Sequence, residues 1–327
     1  MLRLRRGAVT AIVERHEGLV RLEVDGAPCI AYPGLTGPVA LGDDVIVNGA
    51  ARELGLGSGG YDILHANLTR GLDLTPETGA HVMKLPYTSL QHAVRHGEED
   101  TEPPELIEGM PVVCCSLHSQ LAPVCAALAG RRVGYVQLPG GALPVALSDT
   151  VRKLRRRGLL ELAVGAGACF GGDVDCVTAY SALGVLHARG CEVAVCAIGP
   201  GIVGTGSRLG HGGMAAADAM NAAVELSGEP ILALRISGAD PRDRHRGVSH
   251  HTDAVLSLRA GSVHLPWPDG CPLDHPVAGG AEWIDVSDWR QACAGLPLSH
   301  MGRGPDEDPW FFAAAFAAGR LADRLVG

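Results

Sequence analysis

The hydrophobic period of this chain changes once, at Met110, and that change limits what the chain can fold into. Before it, residues 6–67 carry short β-type runs, namely Ala8–Glu14, Leu19–Val24, Cys29–Tyr32, Asp44–Asn48 and Tyr61–Ala66. The turn pairs Glu17-Gly18, Asp25-Gly26 and Pro33-Gly34 separate them. Short, evenly spaced strands without a helical period predict a small N-terminal antiparallel β-barrel. After Met110, apolar runs (Pro111–Ser116, Val133–Leu138, Glu161–Val164, Glu192–Ile198 and Ile231–Ile236) alternate with helical segments. That is the pattern of an α/β fold with a mostly parallel sheet and crossover helices, a Rossmann-like architecture. The stretch from Gly97 to Pro104, with four acids and two prolines, buries little apolar area and reads as a surface boundary. The chain therefore divides into a small β-barrel at 1–70, a connecting segment at 71–109 and an α/β domain at 110–327 that holds the ligand cleft. End signals place helices from Ser148 or Asp149, from Asp173 to Gly190, from about Gly213 to Gly228, and from Asp308-Pro309 to the terminus.

A net charge of −9 over 327 residues argues against nucleic-acid binding and against a polybasic membrane anchor, because both need a positive surface. The one basic cluster, Arg152, Lys153, Arg155, Arg156 and Arg157, reads as the solvated last turn of a helix closed by Gly158. Ten cysteines lack any CxxC pair, and most sit in apolar runs, as expected of small buried hydrophobes in a reducing compartment. The N-terminus has no signal-peptide apolar stretch, and no run approaches a bilayer span, so a soluble cytoplasmic protein is expected.

Right-handed crossovers bring the C-terminal ends of parallel strands to one edge, where open α/β folds bind ligands. The segments expected there include His118-Ser119-Gln120, Gly165–Asp173, the glycine-rich loop Gly199–Gly213 and the charged loop DPRDRHRGVSHHT from Asp240 to Thr252. In the glycine-rich loop, Gly199, Gly201 and Gly204 match G-x-G-x-x-G, but Thr205-Gly206 and Gly210–Gly213 delay the helix that a dinucleotide site requires. What remains is an anion site of backbone amides supplemented by Thr205, Ser207 and Arg208; the alternative is a glycine turn packed on neighbouring strands. In the charged loop, Ser249 is the expected cap of a helix from His250 to about Arg259. His250 and His251 then lie in its first turn, where the helix dipole favours neutral imidazoles able to act as bases or metal ligands. A single metal would recruit one of them with Asp240, His211 or His81. The alternative is a structural salt-bridge network of Asp240, Asp243, Arg242, Arg244 and Arg246. His118 beside Ser119 imitates a nucleophile and base, but sequence neighbours rarely reach triad geometry.

Five segments carry a resemblance: Ala31–Pro38, Gly55–Tyr61, His81–Lys84, GPGIVGTGS at Gly199–Ser207 and HRGVSHHT at His245–Thr252. With these the chain resembles a bacterial protein family of unknown function, domain-of-unknown-function family thirty-eight sixty-six, over nearly its whole length. The family pattern implies an aromatic residue near His211, where this chain reads Gly210-His-Gly-Gly213, which weakens His211 as a ligand. The family supplies no catalytic roles, so mechanism rests on the residues.

The expected function is that of an enzyme acting on a small anionic metabolite, phosphorylated ones included, bound at the C-terminal edge of the sheet. His245, His250 and His251 would move protons, oriented by Asp240. Gly199, Gly201, Gly204, Thr205, Ser207, Asp173, Arg242 and Arg246 would hold the ligand. The alternatives are a metal-dependent hydrolase using the loop histidines and a non-catalytic sensor. The residues specify no cofactor and no oligomeric state.

Overall fold

A computed structural model describes residues 2–55, 60–70, 74–75 and 77–326. Positions 56–59 of the Gly55–Tyr61 motif, and residues 71–73 and 76 of the connecting segment, therefore lie outside the described residues. The chain forms two compact units, Met1–Arg95 and His96–Gly327.

In the first unit the strands Leu4–His16, Leu19–Val24, Ala27–Ala31, Asp44–Asn48 and Asp62–Asn67 close into a barrel. Alternation places Val9, Val20, Leu22, Val24, Cys29, Val45, Val47 and Leu64 inside. The hairpin between Leu19–Val24 and Ala27–Ala31 turns on Asp25-Gly26, both at positive φ (51° and 75°), as a two-residue turn matched to strand twist requires. One expectation is corrected: Ala27–Ala31 and Asp62–Asn67 pair in parallel, so the barrel is not wholly antiparallel. An intervening strand lies between them in sequence, which supplies the crossover that a parallel pair needs. Val82–Lys84 and His92–Val94 form a further antiparallel ribbon.

The second unit is built on six parallel strands. Across the sheet they run Val174–Cys176, Leu162–Ala166, Val133–Leu138, Val193–Ile198, Pro111–Cys115 and Glu229–Ala233. Numbered along the chain within this sheet, that order is 4-3-2-5-1-6, whereas the dinucleotide-binding double wind runs 3-2-1-4-5-6. The strands are almost wholly buried because helices cover both faces. Val113 and Cys115 face the core formed with Leu121–Ala127, Asp149–Arg156 and Pro309–Leu325. Val112 and Cys114 face the core formed with Ala179–Ala188, Ala215–Glu225 and His250–Leu256. Gly319 allows the terminal helix to press on Leu121–Ala127, since a Cβ there would lie 2.4 Å from the Val124 carbonyl oxygen.

The segment around Asp173 differs from expectation. No helix starts there; the chain folds back after Ala166 through Gly167 and Gly171, both at positive φ, and enters the edge strand Val174–Cys176. The helix that follows is Ala179–Ala188, capped by Thr178, whose hydroxyl accepts from Ser181 N at 3.1 Å. The acidic stretch after His96 is also not free surface: Gly97 is buried against Val174, and Glu98 accepts from Val177 N at 2.7 Å.

Candidate functional site

Beyond Ala233 the chain leaves the sheet through Leu234 and Arg235. Ile236–Ser237 then pairs antiparallel with Gly247–Val248, which closes residues 238–246 into a loop. Ser249 caps the helix His250–Leu256, its hydroxyl accepting from His251 N at 3.2 Å, as the sequence implies. Arg235 is tied to this turn through its backbone: its carbonyl accepts from Ser249 N at 2.8 Å and its N–H donates to Thr252 Oγ1 at 3.2 Å.

Four imidazoles meet here. His211 stacks on His251 with ring centres 3.5 Å apart and an angle of 11°. His250 lies 4.6 Å from His251, 4.8 Å from His245 and 5.8 Å from His211. Ring nitrogens of His245, His250 and His251 fall within 4.8 Å of one another. His211 arrives from the glycine-rich loop, where Gly204 bridges to His211 across a tight excursion held by Thr205 N to Gly210 O and Gly212 N to Val203 O, each 2.8 Å. An added Cβ on Gly204 would stand 3.2 Å from His211 Cβ, so the missing side chain lets the two backbones approach. His211 thus joins the cluster that its sequence context argued against.

Beneath the imidazoles lies a guanidinium–carboxylate network. Asp240 is fully buried and receives Arg242 Nε and Nη2 at 2.9 Å each and Arg303 Nη2 at 3.1 Å, with Arg235 Nη2 at 3.6 Å. Asp308 receives Ser237 Oγ at 2.6 Å, Gly238 N and Arg303 Nε, both at 3.2 Å. Asp308 makes no capping bond to the terminal helix that it precedes; its carboxylate serves this network instead. Burial alone would raise the Asp240 carboxyl, yet the hydrogen bonds and charge of Arg242, with the charge of Arg303, hold it well below the ordinary carboxylate range.

The same surroundings keep the histidines neutral. Burial, then Arg235 and Arg242, push His245 down to about 3. Burial, then Arg235 and the neighbouring imidazoles, push His251 down to about 2. His211 and His250 shift the same way, burial being the larger cause in each. His300, buried and stacked on Phe311 at 3.8 Å, is pushed down to about 3 by burial and Arg235. Arg235 itself falls to about 10, through burial and the Arg242 charge.

Several expected ligand-binding residues stand apart from the cluster. Asp173 sits level with Ala163, at the start of its strand and hence the opposite end of the sheet, where it accepts from Ala163 N and Arg155. Arg246 is exposed, its guanidinium 3.9 Å from Asp243. Arg242 is occupied by Asp240, and Asp240 touches guanidinium groups rather than any imidazole. Gly199 packs on the neighbouring strand-end loop, where a Cβ would lie 2.0 Å from Ala142 O. Gly201 (φ 75°) shapes the exit from the strand. Thr205 and Ser207 bond to each other at 2.9 Å, and the amides of Val203, Thr205, Gly210 and Gly212 have partners within the fold. His118 bonds Ser148 at 2.7 Å and Ser119 bonds His300 Nδ1 at 3.2 Å, so those neighbours do not pair with each other.

Sequence reasoning missed Arg235, His300, Arg303 and Asp308. Arg235 was visible as the single charge inside the apolar run Ile231–Ile236; His300, Arg303 and Asp308 are remote in sequence and carry no local signal.

The fold and this loop-borne group define an α/β protein with an imidazole–guanidinium cluster beside a parallel sheet. The chain belongs to the family described as protein of unknown function (DUF3866), whose model matches residues 28–319. No curated protein matches it. Among the described residues, no helix is long and apolar enough to cross a membrane.

Proposed function

We propose that the protein is an enzyme acting on a small oxyanionic metabolite, phosphorylated ones included, at the cluster of His211, His245, His250 and His251. The observation that carries this reading is Arg235: it is 1% exposed, yet its Nε and Nη2 have no hydrogen-bond partner among the described residues. A buried guanidinium whose Nε has no partner and whose Nη2 is held only by a long ion pair to Asp240 at 3.6 Å, beside imidazoles held neutral, suits an anion, since the unsatisfied groups gain charge-assisted bonds when one binds. Arg244, whose guanidinium lies beside Gly206 and whose charge acts on His250, supplies a second cation at the mouth. These two replace Arg242 and Arg246 as the anion-holding residues. Neutral imidazoles then serve proton transfer, with His250 as the first candidate because its Nε2 is buried without a hydrogen-bond partner among the described residues. We read the sheet as a variant double wind with its ligand beyond the strand ends. Ten free, buried cysteines support a reducing compartment.

Inorganic phosphate, titrated against chloride at constant ionic strength, tests the site. It is expected to raise Tm saturably in the native protein, by ligand linkage, and to lose that effect in His250→Asn and Arg244→Gln. Turnover of a panel of phosphorylated and carboxylated metabolites, abolished in His250→Asn, tests the enzyme. An equal phosphate effect in all three proteins refutes the site.

A further inference from the structure

We infer that His251 is the fixed hydrogen-bond donor of this site, offering Nε2–H to an oxygen of the ligand, and that Arg235 is the positioning residue that locks it in that tautomer. The inference rests on the reading of the cluster as an oxyanion site and assigns its parts.

The argument starts from what each partner is able to do. A guanidinium has donors and no acceptor, and it keeps its proton in proteins. Arg235 Nη1 lies 3.0 Å from His251 Nδ1, so Nδ1 accepts and carries the lone pair. His251 is 7% exposed and held neutral, and a neutral imidazole with its lone pair on Nδ1 has its one proton on Nε2. That nitrogen makes no hydrogen bond to the described residues, so its donor is free for a ligand.

His211, stacked against it, is locked in the same tautomer by its other nitrogen. Its Nε2 lies 3.1 Å from the Arg208 carbonyl oxygen, which only accepts, so Nε2 carries the proton. The Nδ1 lone pair of His211 is buried and has no partner among the described residues. Two parallel rings 3.5 Å apart therefore hold the same Nε2–H tautomer but leave opposite nitrogens unpartnered, His251 offering a donor and His211 an acceptor. His245 remains adjustable, because the Ser249 hydroxyl at 2.7 Å from its Nδ1 can donate or accept.

The same logic separates an anion from a metal ion. The spacing of His245, His250 and His251 suits three ligands of one cation. A metal needs three lone pairs, however, and Arg235 occupies that of His251. The charges acting on these rings come chiefly from Arg235, Arg242 and Arg244, opposed more weakly by Asp240 at His245 and by Asp253 at His250. That field repels a divalent cation and attracts an oxyanion.

The test is a long-range proton–nitrogen correlation spectrum of the full chain labelled at histidine, with His251→Gln assigning the signal. In the native protein His251 is expected as a neutral Nε2–H tautomer that keeps this form from about pH 5 to about pH 8. Adding inorganic phosphate is expected to shift that Nε2 resonance. Arg235→Met strands no carboxylate, since Asp240 keeps Arg242 and Arg303, and is expected to remove the tautomer preference and weaken phosphate binding at least about tenfold. It is also expected to acquire cobalt(II) binding that His251→Gln abolishes. A native His251 found as the Nδ1–H tautomer overturns the inference even if phosphate binds. So does native cobalt binding that depends on His251. An unmoved His251 signal while phosphate raises Tm removes the donor role. Should Arg235→Met fail to fold, the native spectra decide. The tautomer is read without any ligand, so a failure of the phosphate site alone leaves its own distinct signature.

Discussion

Asp240→Asn is the sharpest probe of the network beneath the histidines. The carboxylate is fully buried, takes three hydrogen bonds from the side chains of Arg242 and Arg303 and one from Arg242 N at 3.0 Å, and faces Arg235 at 3.6 Å. Neutralising it leaves Asp308 as the remaining carboxylate in the network against three arginines, of which Arg235 is 1% exposed. Removing one partner of a buried ion pair costs about 3–5 kcal/mol. With a urea slope of roughly 2–3 kcal/mol per molar, the unfolding midpoint is expected to fall by about 1–2.5 M. The sign of the pH dependence follows from the lowered Asp240 pKa. Its contribution is present above the unfolded-state value of about 3.9 and is lost as pH falls through the folded-state value, so native and variant proteins converge only in strong acid. Arg235→Met added to Asp240→Asn is expected to recover part of the loss, since it removes a cation that the first change left uncompensated. A single-variant loss below about 1 kcal/mol at neutral pH, or strict additivity of the two changes, refutes the buried-network account.

The buried histidines predict an acid-side loss of a different kind. His245, His251 and His300 have folded-state values far below the ordinary imidazole, so their contribution is complete above about pH 6.5. Below that the unfolded chain takes up protons the folded one refuses, costing about 1.4 kcal/mol per pH unit for each; urea curves between pH 7 and about pH 4.5 read the slope, and His300→Gln is expected to reduce it. His264 behaves oppositely: bonded to Glu282 and Glu229 at 2.7 and 3.1 Å, its value is raised, and its contribution, present below about pH 6.5, is lost as pH rises through the folded value. His264→Gln is expected to flatten stability on that alkaline side. Gly199→Ala, which drives a Cβ into the Ala142 carbonyl, is expected to cost about 1–3 kcal/mol or more in urea unfolding. Asp173→Asn, at the far end of the sheet, is expected to leave the phosphate response of Tm unchanged.

Much of the architecture was legible because it is periodic. Alternation with Asp25-Gly26 punctuation marks the barrel, and continuous apolar runs mark the parallel strands, since both patterns follow from local backbone geometry. The short edge strand Val174–Cys176 was not legible, because three residues carry no period, and Asp173 before it looked like a helix cap. The charged loop announced itself through composition, as did the Ser249 cap. Its internal wiring was legible only in part: Asp240 reads either as an orienting carboxylate for the histidines or as a member of a salt-bridge network with Arg242, and the arrival of Arg303 and Arg235 shows that it balances guanidinium charge.

Taken alone, the sequence determined the kinds of layers, the closure of the hairpins and the position of an unusual loop after the last strand, all set by contacts within a few residues. The tertiary structure decided the order of the strands, the separation of Asp173 from the cluster, the entry of His211 and the tautomers of His211 and His251. The physical reason is range. A ring proton is placed by whatever atom stands 3 Å away, and for His251 that atom belongs to Arg235, 16 residues earlier in the chain and held there by its backbone bonds to Ser249 and Thr252.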